Sequence, residues 1–268
     1  MFDWINKGLD YQPPKKRAVM PVGKLLAYSQ QHWAPYMCHM LIIGVIATIT
    51  GPYIAYPIAV VATSGVLIYY WKKGKYPELK NKKETPIEDW LLAILVGFVG
   101  IVLWIAPYHY FPDVMFAKIP ILGNKNIALS FTYGTKVVNG IPEATYMPYK
   151  EILSEHWRTI FIAFRIIGAA ILVPFWEELL IRSAVPRFIE AEYYKRVPIG
   201  YFSKRGFLIT LALFTMSHPW WLVAVIWGGL TFWLYYYKRN LQLVVAAHAV
   251  SNLLLAIYVL WTGNYYLW

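Results

Sequence analysis

Trp90–Tyr110 reads WLLAILVGFVGIVLWIAPYHY, 21 consecutive residues without an Asp, Glu, Lys or Arg. A run that long and that apolar matches the ~20 residues a helix needs to cross a ~30 Å hydrocarbon core. Comparable blocks lie on both sides of it. Before it come His32 to Thr50 and, past the Gly51-Pro52 turn signal, a second block reaching Trp71. After it a fourth block runs from Trp157 to Arg187, a fifth from Gly206 to His218, a sixth from Trp220 to Tyr237 and a seventh from Leu241 to Thr262. The expected fold class is therefore an all-α integral membrane protein of about seven transmembrane helices. Composition agrees: 59% of residues are hydrophobic, 18% aromatic and only 15% charged, against roughly 25% charged in an ordinary soluble domain.

The organisation that follows is a basic segment at 1–32, three helices over 33–110, an outer loop at 111–156 and a four-helix core at 157–268. No apolar run stands behind a short charged start, so residues 1–32 do not read as a removable signal peptide. Cys38 is the single cysteine, which rules out an intramolecular disulfide. The net charge of +11 is spread between the apolar blocks, where it sets orientation and meets anionic lipid, so nucleic acid is not an expected partner. Five Lys and Arg precede the first block, six lie in 72–83, five in 187–205, and Lys238 and Arg239 follow the sixth. The alternate loops hold only Lys118, Lys125, Lys136 and Lys150. By the positive-inside tendency the N-terminus is cytoplasmic and the C-terminus outside.

Chemistry concentrates in the last four blocks. The run Phe175-Trp176-Glu177-Glu178-Leu179-Leu180-Ile181-Arg182 sets two carboxylates and a guanidinium in an apolar helix, where each ionisable group costs on the order of 2.5 kcal/mol or more. Glu178 and Arg182, four apart, can pair on one face, while Glu177 points about 100° away and is free for another partner. The fifth block adds Phe214 and His218, the seventh His248 and Asn252, again at four-residue spacing. Counted at ~1.5 Å per residue from the flanking arginines, Glu177, His218, His248 and Asn252 reach similar depths. A carboxylate and an imidazole sharing a water can act as general base, and a second imidazole with an amide can donate to an oxyanion, which is the chemistry of peptide hydrolysis. Taken singly, each has a plainer reading: Glu178–Arg182 as an ion pair, His218, His248 and Asn252 as interhelical hydrogen-bonding groups, Phe214 as packing around the histidine.

In the order Glu177-Glu178-x-x-x-Arg182, Phe214-x-x-x-His218 and His248-x-x-x-Asn252, these residues resemble the intramembrane glutamic proteases of the CPBP family, which includes the type II CAAX prenyl endopeptidases and bacterial immunity (Abi) relatives. The resemblance covers roughly 157–262. It implies an endopeptidase acting on a membrane-associated protein or peptide, lipidated or not. Glu177 and His218 would be its water-activating pair, His248 and Asn252 its oxyanion-side donors, and Glu178, Arg182 and Phe214 its supports, with no cofactor. Over Arg187 to Trp268, Arg196-Val197-Pro198, Ala247 to Leu254 and Trp261-Thr262-Gly263 resemble a bacterial branch associated with exosortase systems, which implies a bacterial inner membrane. Three other functions compete. One is a non-catalytic subunit that keeps this fold within a larger membrane complex. Another is a zinc hydrolase with Glu177, His218 and His248 as ligands, and the weakest is a transporter, since the polar residues gather at one site.

Overall fold

The computed structural model describes residues 5–13, 20–80, 84–110, 135–138, 141–144, 147–218 and 220–268. Among them are seven helices of 13 residues or more. These are α1 (Val22–Thr50), α2 (Pro52–Lys72), α3 (Ile87–Tyr110), α4 (Glu155–Glu190), α5 (Lys204–Met216), α6 (Trp221–Lys238) and α7 (Leu241–Thr262). Five of them, α1 to α4 and α7, are long and apolar enough to cross a membrane. At 13 residues α5 is about 20 Å long, short of a full span.

The ends of these helices follow local chemistry. Gly51 adopts φ +76° and Gly263 φ +75°, the left-handed conformation that lets α1 turn into α2 and ends α7. Ser154, Ser203 and Asn240 cap α4, α5 and α7 by accepting from the backbone N–H groups of Trp157, Gly206 and Gln242. The one large departure from the sequence expectation is α1, which starts ten residues before His32. The stretch Val22 to Gln31 is polar enough to read as a tail, but it continues the helix as far as buried Gln31 and His32. Most of the 111–156 loop lies outside the described residues. What is described of it is an antiparallel hairpin of β1 (Thr135–Val138) and β2 (Ile141–Ala144), paired Thr135 with Ala144 and Val138 with Ile141, and a helical turn at Pro148–Glu151. Among the described residues these two strands are the strand content of an otherwise helical fold.

Helix α7 is the hub, packing on α3, α4 and α6. Its approach to α3 depends on a missing side chain, since a Cβ at Gly97 would sit 2.5 Å from the Ala247 carbonyl oxygen, and α6 comes close in the same way where a Cβ at Gly100 would sit 2.8 Å from Trp227 Nε1. Lipid offers no hydrophobic drive for helix association, so close backbone contact of this kind supplies the van der Waals energy. The opposite face of α3 carries Leu91, Leu95, Phe98 and Val102, all exposed, a stripe that suits acyl chains.

Helix α4 is irregular by sequence. Its π-helical turns, Gly168–Leu172 and Glu178–Ala184, each stop two residues before a proline, Pro174 and Pro186. A proline has no N–H for the carbonyl four residues back and its ring crowds that carbonyl, so the ladder widens there. Glu177, Glu178 and Arg182 lie between the two prolines.

At the end of α4 beyond Pro186 a closed polar cluster ties four segments together. Glu78, in the 3₁₀ turn Pro77–Leu79, meets the His32 imidazole and accepts from Ser183 Oγ at 3.3 Å, with Arg187 Nη2 at 3.8 Å. Arg187 donates to Ser183 Oγ at 2.5 Å and to the Val197 carbonyl at 3.3 Å. His32 Nδ1 and Tyr194 Oη are 2.7 Å apart, and Gln31 Nε2 donates to that hydroxyl at 3.2 Å. Since a carboxylate only accepts, His32 carries its proton on Nε2 toward Glu78, and Tyr194 donates to Nδ1. Burial alone would raise the Glu78 pKa, but the His32 hydrogen bond and the Arg187 charge outweigh it and hold the carboxyl below its ordinary value.

Candidate active site

Helices α3, α4, α5, α6 and α7 enclose a cavity of about 210 Å³ whose lining includes Glu177, Phe214, His218, Trp227, His248, Ser251 and Asn252. The four residues expected to carry catalysis therefore face one space.

Glu177 is 6% exposed, and among the described residues its carboxylate has no hydrogen-bond partner. Glu178, one step around the helix, is fully buried and meets both His248 and Arg182, with Oε2 making no hydrogen bond among the described residues. Its Oε1 accepts from His248 Nδ1 at 2.7 Å and its Oε2 stands 3.2 Å from Arg182 Nε. The Arg182 guanidinium donates to Thr231 Oγ1 at 2.8 Å and packs over the rings of Phe214 at 4.3 Å, Phe232 at 5.0 Å and Trp227 at 5.4 Å. Ring stacking and the nearby Glu178 charge offset part of the cost of burying this guanidinium, whose Nε and Nη1 make no hydrogen bond among the described residues, and either charge alone would be worse off.

His218 follows the last turn of α5. Its Nδ1 lies 2.8 Å from the Phe214 carbonyl and its ring centroid 4.3 Å from that of Phe214. A carbonyl only accepts, so the proton sits on Nδ1 and the Nε2 lone pair is left for the cavity. Phe214 thus does two jobs: its ring covers Arg182 and its carbonyl sets the His218 tautomer. In His248 the Nδ1–H points to Glu178, and Nε2 is again the free nitrogen. Asn252 Nδ2 donates to the Ala169 carbonyl at 2.8 Å, in the first π-helical turn of α4. One amide proton of Asn252 is used there, and the second is left over.

Several lining groups carry no signal in the motif spacings. Trp227 Nε1 donates to Ser251 Oγ at 3.2 Å, and its ring stands 4.6 Å from His248 and 5.7 Å from Phe214, so it wedges the two motif helices apart. Arg165, Trp104, Trp220 and the segment Tyr266 to Trp268 also line the cavity. The 3₁₀ turn Tyr265–Leu267 lies against the β1–β2 hairpin, which joins the outer loop to the cavity wall. A four-residue step from Trp227 to Thr231 was the one available hint that α6 contributes. Among the described residues no three His, Cys, Asp or Glu side chains are grouped to hold a metal ion, Glu177, His218 and His248 included.

Residues 159–254 match the family model described as type II CAAX prenyl endopeptidase Rce1-like. The match is to the family as a whole and does not single out the exosortase-associated branch. No curated protein and no solved structure matches the chain.

Proposed function

Starting from a chain whose residues 159–254 match the Rce1-like family, we propose that this multi-pass membrane protein is an intramembrane glutamic endopeptidase. It hydrolyses a peptide bond of a membrane-associated protein or peptide with a water activated by Glu177 and His218. The observation that carries the reading is a buried carboxylate with no hydrogen-bond partner among the described residues, in one cavity with two imidazoles whose Nδ1 protons are already committed. Burying a carboxylate without partners is costly unless something arrives to use it.

In this mechanism the Glu177 carboxylate and His218 Nε2 share the proton of a water that attacks the scissile carbonyl carbon, a contribution of about 10² to 10⁴ in rate. The oxyanion that forms accepts from the second Asn252 amide proton and from His248 Nε2. The latter donates when the ring is an imidazolium, with Glu178 as its counter-ion at Nδ1. Each such donor contributes about 10² to 10³. The proton held by Glu177 and His218 then passes to the leaving amine. Arg182 and Phe214 keep Glu178 and His218 in place. No metal is assigned a part.

We place the chain in a bacterial cytoplasmic membrane, the N-terminus inside and the C-terminus outside, with α5 entering the bilayer without spanning it fully. Residues 157–268 would be the catalytic core and 111–156 its outer cap. The Lys and Arg distribution supports that orientation. Terminal-peptide profiling of membranes from cells expressing the wild type or Glu177→Gln tests the activity. New peptide termini that need Glu177 support it. Identical termini in both strains would leave a non-catalytic scaffold as the better account.

A further inference from the structure

The α7 face that carries His248 and Asn252 carries a third polar residue, Ser251, since positions three and four apart share one face of a helix. All three line the cavity, and Ser251 is 4% exposed. Its hydroxyl behaves unlike others in the helices. Those of Thr50, Thr159, Thr231 and Thr262 donate to a carbonyl four residues back at 2.8 to 3.0 Å, the usual outlet for a helical hydroxyl. Ser251 makes no such bond: among the described residues its hydrogen-bond partner is the Trp227 indole, whose Nε1–H it accepts at 3.2 Å. An indole nitrogen only donates, so the bond occupies a lone pair of Oγ and leaves the hydroxyl proton over. A Cβ at Gly100 would stand 2.8 Å from that Nε1 and 3.7 Å from Oγ, so this glycine of α3 makes the room in which the pair is held. The Trp227 ring also stands 4.6 Å from the His248 ring, which sets the hydroxyl and the imidazole against one support. A buried donor without an acceptor is costly in an apolar wall unless a ligand supplies one.

We propose that the Ser251 hydroxyl is a further oxyanion donor of the site, acting beside His248 and Asn252 while Trp227 holds its oxygen. The inference rests on the peptidase reading and adds a residue to it. As the water oxygen bonds to the scissile carbon, the C=O π pair moves onto the carbonyl oxygen, and that oxygen accepts from Ser251 Oγ–H. The Ser251 proton stays on Oγ throughout, and no bond forms between Oγ and the substrate carbon. A neutral carbonyl is a weaker acceptor than an oxyanion, so the hydroxyl holds the tetrahedral species more tightly than the peptide from which it forms. Trp227 is a positioning residue here, since the lone pair it occupies limits which way the hydroxyl can point.

The test uses the full-length chain in nanodiscs and two uncleavable analogues of an N-acetylated, C-amidated hexapeptide of leucine and alanine. In one a ketomethylene group replaces the central amide and stays a ketone. In the other a difluoromethylene ketone replaces it and adds water to become a gem-diol, which resembles the tetrahedral intermediate. Wild type is expected to bind the difluoroketone at least about 10²-fold more tightly than the plain ketone. In Ser251→Ala that preference should fall about tenfold, with the plain ketone bound as in wild type, and Ser251→Thr, which returns a hydroxyl, should restore it. An unchanged preference in Ser251→Ala would overturn the donor role, and so would an equal loss of both ligands, which marks a packing residue. Glu177→Gln separates the two readings. If its preference falls while that of Ser251→Ala does not, the peptidase site stands and the donor falls. If Ser251→Ala loses preference and Glu177→Gln does not, the donor stands and the water-activating role of Glu177 falls. A wild type that binds neither ketone, or both alike, overturns both.

Discussion

The cavity cluster and the clamp at the far end of α4 use the same three side-chain types, yet their carboxylates live differently. Glu78 is surrounded by His32, Ser183 and Arg187 and does not line the active-site cavity. Glu177 has no hydrogen-bond partner among the described residues and lines a 210 Å³ space. Glu178, a residue away, is fully buried, bonds His248 through one oxygen, sets its charge beside Arg182 and does not line the cavity. In a membrane helix, then, an ionisable residue alone does not mark chemistry. What separates the working group from its supports is that its carboxylate lines the cavity while theirs are set against charged and hydrogen-bonding partners inside the protein.

That contrast can be broken at several points. The largest loss of stability is expected for Glu178→Ala, which strands the fully buried Arg182 and frees His248. Removing one partner of a buried pair costs about 3 to 5 kcal/mol, and a thermal melt within about 1 °C of wild type would contradict the pairing. Glu78→Gln keeps the shape but loses the charge facing His32 and Arg187, and should cost about 1 to 3 kcal/mol. Its effect should also depend on pH. Because the Glu78 carboxyl titrates below its ordinary value in the folded state, its contribution is complete above the unfolded value and fades as pH falls through the folded one. Melts of wild type and Glu78→Gln should therefore converge toward low pH. A gap that widens on acidification reverses the sign and defeats the assignment. The smallest effect on folding is expected for Asn252→Ala, which removes the bond to the Ala169 carbonyl for about 1 kcal/mol. A stability loss as large as that of Glu178→Ala would make Asn252 a structural residue only.

Much of this was legible in the chain because membrane helices write their limits in hydropathy. Leu241–Thr262 begins and ends where the sequence reading put it, and the four-residue steps from Glu178 to Arg182 and His248 to Asn252 lie within helices, while α5 ends at Met216 and His218 folds back on Phe214 from just beyond it. What stayed hidden depends on long-range pairing. His32 opens the first apolar block in the sequence, where nothing marks it as buried; it is 1% exposed because Glu78 and Tyr194, 46 and 162 residues away, close over it. Its neighbour in the helix, His39, is also buried, against the rings of Tyr56 and Trp176. Pro174 and Pro186 were visible, but their consequence, two π-helical turns that present Ala169 to Asn252 and seat Glu178 between Arg182 and His248, needs the backbone.

The central claim is that Glu177 is held for chemistry and the clamp for folding. Turnover and thermal stability of Glu177→Gln, measured side by side with Glu78→Gln in the same nanodiscs, test it most directly. The account predicts that Glu177→Gln loses about 10² to 10⁴ in turnover with a melting temperature at or above wild type, while Glu78→Gln melts lower and keeps its turnover below its melting range. Full turnover in Glu177→Gln, or a destabilisation matching that of Glu78→Gln, would contradict it.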